Sequence, residues 1–271
     1  MHSLADKRDG REILWQGDAA YWKWHAPVCF PIVGVVHEGT TTRTGEAVKL
    51  TVHGFARDQE FQKIRQTPDT LVYELRSDAA SLARYPYPFV FRIGYELAGE
   101  QVTVRYEVEN PADAPLYFSL GAHTAFACPV TPQGEFDAVQ LVFPGVKKLQ
   151  RFFLDGEFLT ERQEELPLQD GVLPLRQSLF ADGLIAVKKP PMDRVSLVQK
   201  ESGRGVQVSF AGFPYLGFWT KAEGAPFVCI EPWYGVTDGQ KPTAFEDKEG
   251  ICELAAGQRF SASYTISVRV S

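Results

Sequence analysis

Long apolar runs, paired cysteines and basic stretches are all missing from this 271-residue chain, and each absence removes a class of protein. No run approaches the roughly 18 apolar residues that a membrane span needs. The opening stretch MHSLADKRDGREILW is polar and charged, without the apolar segment of a secretory signal. The four cysteines, Cys29, Cys128, Cys229 and Cys252, lie far apart and form no CxxC pair, so neither a disulfide framework nor a zinc site is expected. A cytoplasmic protein with ordinary packing thiols is the expectation. The formal net charge of −6 comes without a basic stripe, which argues against nucleic acid as a partner. Nor is there a G-x-S-x-G elbow, a P-loop, a G-x-G-x-x-G after a strand or an HExxH. The five histidines, His2, His25, His37, His53 and His123, have no second ligand close in sequence, so no metal is expected. The chemistry left is acid–base chemistry by histidine and carboxylate.

What is present is β-periodicity. In QVTVRYEVEN, Val102, Val104, Tyr106 and Val108 alternate with polar residues, as a half-buried strand requires. The stretches FVFRIGYEL and RFSASYTISVRV repeat the pattern, and TLVYELRS, AVQLVFP, GVQVSFAG and FVCIEPW read as further strands. Turn signals such as ENPADAP, LAGEQ and ESGRG separate them, and no amphipathic helix of ten or more residues stands out. With 44% hydrophobic residues, including 19 Phe, 10 Tyr and 5 Trp, the chain can fill a sizeable core. An all-β fold of packed antiparallel sheets, in one domain spanning 1–271, is the expectation.

Three segments carry candidate chemistry. In APLYFSLGAHTAFACP, an extended chain over 116–126 puts Phe118, Leu120, Ala122, Thr124 and Phe126 on one apolar face. Tyr117, Ser119, Gly121, His123 and Ala125 then share the other face, which is small and polar. Glycine within a strand marks a place where something approaches the backbone closely. His123 therefore reads either as part of the floor of a ligand site or as a satisfied structural histidine beside a bend. In FVCIEPWYGVTD, Phe227, Cys229, Glu231 and Trp233 share a face. A carboxylate in so apolar a run must be paired, hydrogen-bonded or raised in pKa. It fits a buried salt bridge to an arginine equally with a sugar site, where an indole stacks on the sugar's C–H face. In KLTVHGFARDQEF, His53 and Arg57 stand four residues apart at a strand end, able to present two donors to a polar ligand.

Taken together, HGFAR (53–57), GAH-x-AF-x-CP (121–129) and EPW-x-G-x-x-D (231–238) resemble the aldose 1-epimerase (galactose mutarotase) family, in particular its LacX-like branch and relatives acting on hexose 6-phosphates. The likeness extends through ILWQGDAAYWKWHAPVCFPIVG, YPYPFVFRIGYEL and FEDKEGICELAAGQRF, in family order over nearly the whole chain. The resemblance implies a β-supersandwich and cofactor-free interconversion of the α and β anomers of a hexose or hexose 6-phosphate. It implies Glu231 as general base, His123 as general acid, and His53 hydrogen-bonded to the sugar near its ring oxygen. By the same likeness Arg57 binds the sugar or orients a catalytic group, and Asp182, in LFADGLI, matches a sugar-binding carboxylate. Trp233 and Phe126, beside the motifs, are expected as walls of the site. A small-molecule sugar is the implied partner, with no nucleic acid, no membrane, and a monomer or homodimer. PIVGVV stands where the galactose-specific branch carries an Asn-Arg pair, and His25 has no matching role. Arg43, Arg76 and Arg84 are candidates for a 6-phosphate pocket. Two other readings compete: a sugar-binding or sensing protein without catalysis, and a glycoside hydrolase using Glu231 with Asp238.

Overall fold

The computed structural model describes residues 1–130, 134–221 and 224–269. Strands take 44% of the chain and helices 6%, so the all-β expectation holds. Among the described residues the α-helix is a single turn, Ala79–Leu82, capped by Asp78 and Ser81 in a reciprocal box. No described helix is long and apolar enough to cross a membrane.

Two large antiparallel sheets carry the fold. In one, nine strands run in the order Val172–Pro174, Val139–Val142, Arg194–Gln199, Gly205–Ser209, Arg259–Arg269, Gln101–Glu109, Val90–Ala98, Thr70–Arg76 and Gln62–Gln66. The other, of eight strands, runs Val28–Cys29, Leu120–Ala122, Phe227–Tyr234, Tyr215–Trp219, Ile185–Lys188, Lys148–Asp155 and Phe158–Pro167, with Thr124–Ala127 also pairing to Phe227–Tyr234. Period-2 alternation turns one face of each sheet inward. Val102, Val104, Tyr106 and Val108 of the nine-stranded sheet meet Leu120, Phe126, Val228 and Ile230 of the other in one continuous core. Thr124 joins this inner face, its hydroxyl 3.0 Å from that of Tyr264 across the sheets.

The run 116–126 is not one strand. Leu116–Phe118 pairs with Cys252–Leu254 in a separate two-stranded sheet, and the Ser119 N–H turns to the Pro31 carbonyl. The chain then enters the eight-stranded sheet. The face assignments survive these breaks, because Phe118, Leu120, Ala122 and Phe126 all remain in the core. For Phe126 this is a correction. It is 1% exposed in the inter-sheet core, so it is not a wall of the site, as its parity with Leu120 and Ala122 requires.

Candidate active site

The outer face of the eight-stranded sheet bears the chemistry. Gly121 pairs with Trp233 and Thr124 with Ile230, and the same register carried between them sets His123 opposite Glu231. His123 leaves the ladder there, its N–H going to the Pro27 carbonyl at 3.1 Å. Its Nε2 stands 3.4 Å from Glu231 Oε2. Glu231 Oε1 and His123 Nδ1 are both buried without a hydrogen-bond partner. A buried polar atom left unmatched is costly, so this pair holds unspent hydrogen-bonding capacity. Burial pushes the Glu231 carboxyl well above the usual carboxylate range. It pushes His123 well below that of histidine, with His53 and Arg57 adding to the effect. Both shifts favour the uncharged form of each group.

Gly121 answers to a side chain of this protein. A Cβ there would lie 2.3 Å from Trp233 Cδ1, and one at Gly217, on the other neighbouring strand, 2.4 Å from Cη2 of the same indole. The two glycines let the Trp233 ring lie flat across the sheet beside Glu231, its Nε1 donating to the Ala122 carbonyl at 3.2 Å. A cavity of about 580 Å³ opens above, with His123, Glu231, His53, Arg57, Asp182 and Trp233 among its lining residues. Its size suits a small ligand.

His53 does not end a strand. It sits in a turn at φ 62°, followed by Gly54 at φ 74°, where a Cβ would fall 2.2 Å from the Phe30 carbonyl oxygen. This turn fixes the ring. His53 Nδ1 accepts the Gly34 N–H at 3.1 Å, so the neutral imidazole carries its proton on Nε2, as a donor. Burial, reinforced by Arg57, lowers its pKa to about 4. Arg57 lies over the Trp24 ring and donates Nη2 to the Val52 carbonyl at 2.9 Å, while its Nε has no hydrogen-bond partner. Asp182 is exposed, at the cavity rim.

Sequence reasoning named Trp233 but missed Trp22, Trp24 and Trp219. Trp22, Trp24, Trp219 and Trp233 all line the cavity, four of the chain's five. Trp22 stacks on His123 with centroids 4.8 Å apart, and Trp219 meets the same imidazole edge-on at 5.7 Å. The signal was the WKW of residues 22–24, in a chain otherwise sparing with tryptophan. The sequence shows no second ligand near any histidine, but the fold brings candidate ligands together. Among the described residues, ligand atoms of His123, Cys229 and Glu231 lie within 4.8 Å of one another, brought together by strand register although His123 and Glu231 are 108 positions apart in the chain.

Other candidates fall outside the cavity. Asp238 is bound to the fully buried Lys248 ammonium and accepts the His37 N–H at 3.0 Å, so it does not face Glu231 across a glycosidic bond. Arg43 is paired with Asp247, Arg76 with Glu74, and Arg84 lies over Phe55. None of the three lines the cavity. His25 hydrogen-bonds the Trp15 carbonyl through Nδ1 at 2.9 Å and faces a neighbouring cavity.

The site is thus an imidazole–carboxylate pair on the floor of a tryptophan-walled cavity, on the outer face of a two-sheet β-supersandwich. The chain belongs to the aldose 1-epimerase family, whose model matches residues 1–244. It is 30% identical over 279 aligned residues to the plasmid-encoded protein LacX of Lactococcus lactis subsp. lactis, covering 99% of this chain and 93% of that one. Among solved structures it is similar to a galactose mutarotase related enzyme from Lactobacillus acidophilus, with TM-score 0.93, 28% identity, and 99% and 90% of the two chains covered. A galactose mutarotase-like protein from Lactobacillus casei gives TM-score 0.91 at 27% identity, covering 99% of this chain and 93% of that one.

Proposed function

We propose that the protein is a mutarotase, an aldose 1-epimerase that interconverts the α and β anomers of a hexose or hexose 6-phosphate without a cofactor. The observation that carries this reading is the His123–Glu231 contact of 3.4 Å, with both groups buried. Ring opening needs a base to take the C1 hydroxyl proton and an acid to protonate the ring oxygen. Closure from the other face needs the same two groups in reversed roles, so a pair carrying one proton serves both directions. In the ligand-free cavity the proton rests on Glu231. Sugar hydroxyls entering the site supply hydrogen bonds that stabilise the charged form. The carboxylate–imidazolium pair then forms by transfer across the contact. Glu231 accepts from O1, and His123 donates to the ring oxygen. His53 holds the sugar through Nε2–H and stays neutral at physiological pH. The tryptophan faces stack on the sugar's C–H surfaces, and Arg57 and Asp182 bind its hydroxyls.

The test is two-dimensional exchange NMR of the anomeric signals of glucose, galactose and glucose 6-phosphate. Faster exchange than buffer alone supports the mutarotase reading, and the fastest sugar defines the substrate. Binding of these sugars with unaltered exchange would favour a sugar sensor instead.

A further inference from the structure

Beside the acid–base pair lies a thiol that the proposed mechanism does not use. Cys229 is fully buried, two residues before Glu231 on the same strand face, and its Sγ is within 4.8 Å of ligand atoms of both His123 and Glu231. We propose that His123, Cys229 and Glu231 form a binding site for a zinc-class divalent cation, and that its occupation inhibits the enzyme.

Three observations point to that ion. The first is the donor set: one imidazole, one thiolate and one carboxylate are the ligands zinc takes in protein sites, whereas magnesium and calcium prefer oxygen alone. The second is spacing. Zinc bonds of about 2.0–2.2 Å to nitrogen and oxygen in a tetrahedron hold the two ligand atoms about 3.4 Å apart. His123 Nε2 and Glu231 Oε2 already stand at 3.4 Å. With a zinc–sulfur bond of about 2.3 Å, the Cys229 thiol needs to close by about 1 Å. The third is burial: His123, Cys229 and Glu231 are all buried, so bulk water competes little for these donors. His123 and Glu231 also line the cavity, from which a sugar hydroxyl or water can complete the fourth position.

Binding forms metal–nitrogen, metal–sulfur and metal–oxygen bonds and involves no change of oxidation state. The proton of the thiol and the proton shared by the pair are released to solvent. A cation held there takes the lone pair that Glu231 needs to accept a proton and the nitrogen from which His123 donates one. The inhibitory consequence rests on the proposed mutarotase reading, whereas binding itself does not.

Titration of the purified protein with Co²⁺ tests binding first. Tetrahedral d–d bands and a thiolate-to-cobalt charge-transfer band are expected, displaced by Zn²⁺. The charge-transfer band should vanish in both Cys229→Ser and Cys229→Ala, two small replacements of which at least one should tolerate the buried position. No charge-transfer band in wild type, or one that persists in the Cys229 variants, overturns the site. For the consequence, Zn²⁺ should inhibit anomer exchange competitively with the sugar and reversibly by chelator. The inhibition constant should rise at least about tenfold in Cys229→Ser with basal exchange intact. Equal inhibition in that variant overturns the inhibitory role. A cobalt band in a protein that accelerates exchange of no sugar would leave the metal site standing and remove the mutarotase reading.

Discussion

The strand Phe227–Tyr234 has two faces built to different rules. On the inner face Val228 and Ile230 are fully buried among apolar neighbours from both sheets. On the outer face Cys229, Glu231 and Trp233 are almost as deeply buried, yet the carboxyl keeps an oxygen without a partner. The inner face exchanges water for hydrocarbon contact and stabilises the fold. Outer-face residues keep polar groups dry and unmatched, a destabilising arrangement that suits proton transfer. On this strand burial alone does not separate the two faces; hydrogen-bond satisfaction does.

Substitutions on the two faces should therefore separate activity from stability. The largest effect is expected at the outer face, where His123→Asn should lower anomer exchange by about 10²–10⁴-fold, the usual contribution of a positioned acid or base. Its midpoint in a urea titration should change little. On the inner face, Ile230→Ala should cost about 2–5 kcal/mol of stability. Exchange per folded molecule should stay near wild type, as read by urea unfolding and NMR on the same sample. If Ile230→Ala abolished exchange in fully folded protein, the division of labour between the faces would fail.

A smaller effect is expected at Gly121, where an added methyl must displace the Trp233 indole. Gly121→Ala should weaken sugar stacking by about 1.4 kcal/mol, a tenfold rise in KM, with a smaller change in kcat. The Trp233 contribution to fluorescence should shift with it.

The face rule was legible in the sequence, because alternation places Val228 and Ile230 against Phe227, Cys229, Glu231 and Trp233 without any structure. The same rule placed Phe126 with the core, and proximity to a motif was the weaker guide when it made that residue a wall. Strand register was not legible. Nothing in 121–124 and 230–233 alone says that His123 falls opposite Glu231, since hydrogen-bonded pairing between distant segments is a tertiary property. The tryptophans Trp22, Trp24 and Trp219 come from loops and an unforeseen strand, where periodicity gives no direction. His53 was legible as a candidate from HGFAR, but its tautomer depends on the Gly34 N–H, brought close by the chain's return 19 residues on.

Among these effects, the smallest and most diffuse is on stability in acid. Unfolded histidine takes up its proton near pH 6.5, whereas folded His53 resists until about 4 because it is buried and close to Arg57. Between those values the unfolded chain binds more protons, so stability falls as pH falls. His123, displaced in the same direction, adds to the slope. Glu231, raised by burial, holds its proton in the folded chain and works in the opposite direction, so the two histidines outweigh it only below about pH 6.5, where urea midpoints should decline. Replacing His53 by Gln should flatten part of that decline.

The most direct test compares anomer exchange by wild type and Glu231→Gln at equal folded concentration. Gln keeps the shape and hydrogen bonds of the protonated carboxyl but cannot accept a proton from O1. Loss of nearly all acceleration, with the urea midpoint unchanged or raised, is the expected result. Near-normal exchange by Glu231→Gln would contradict the assignment of the chemistry to this pair.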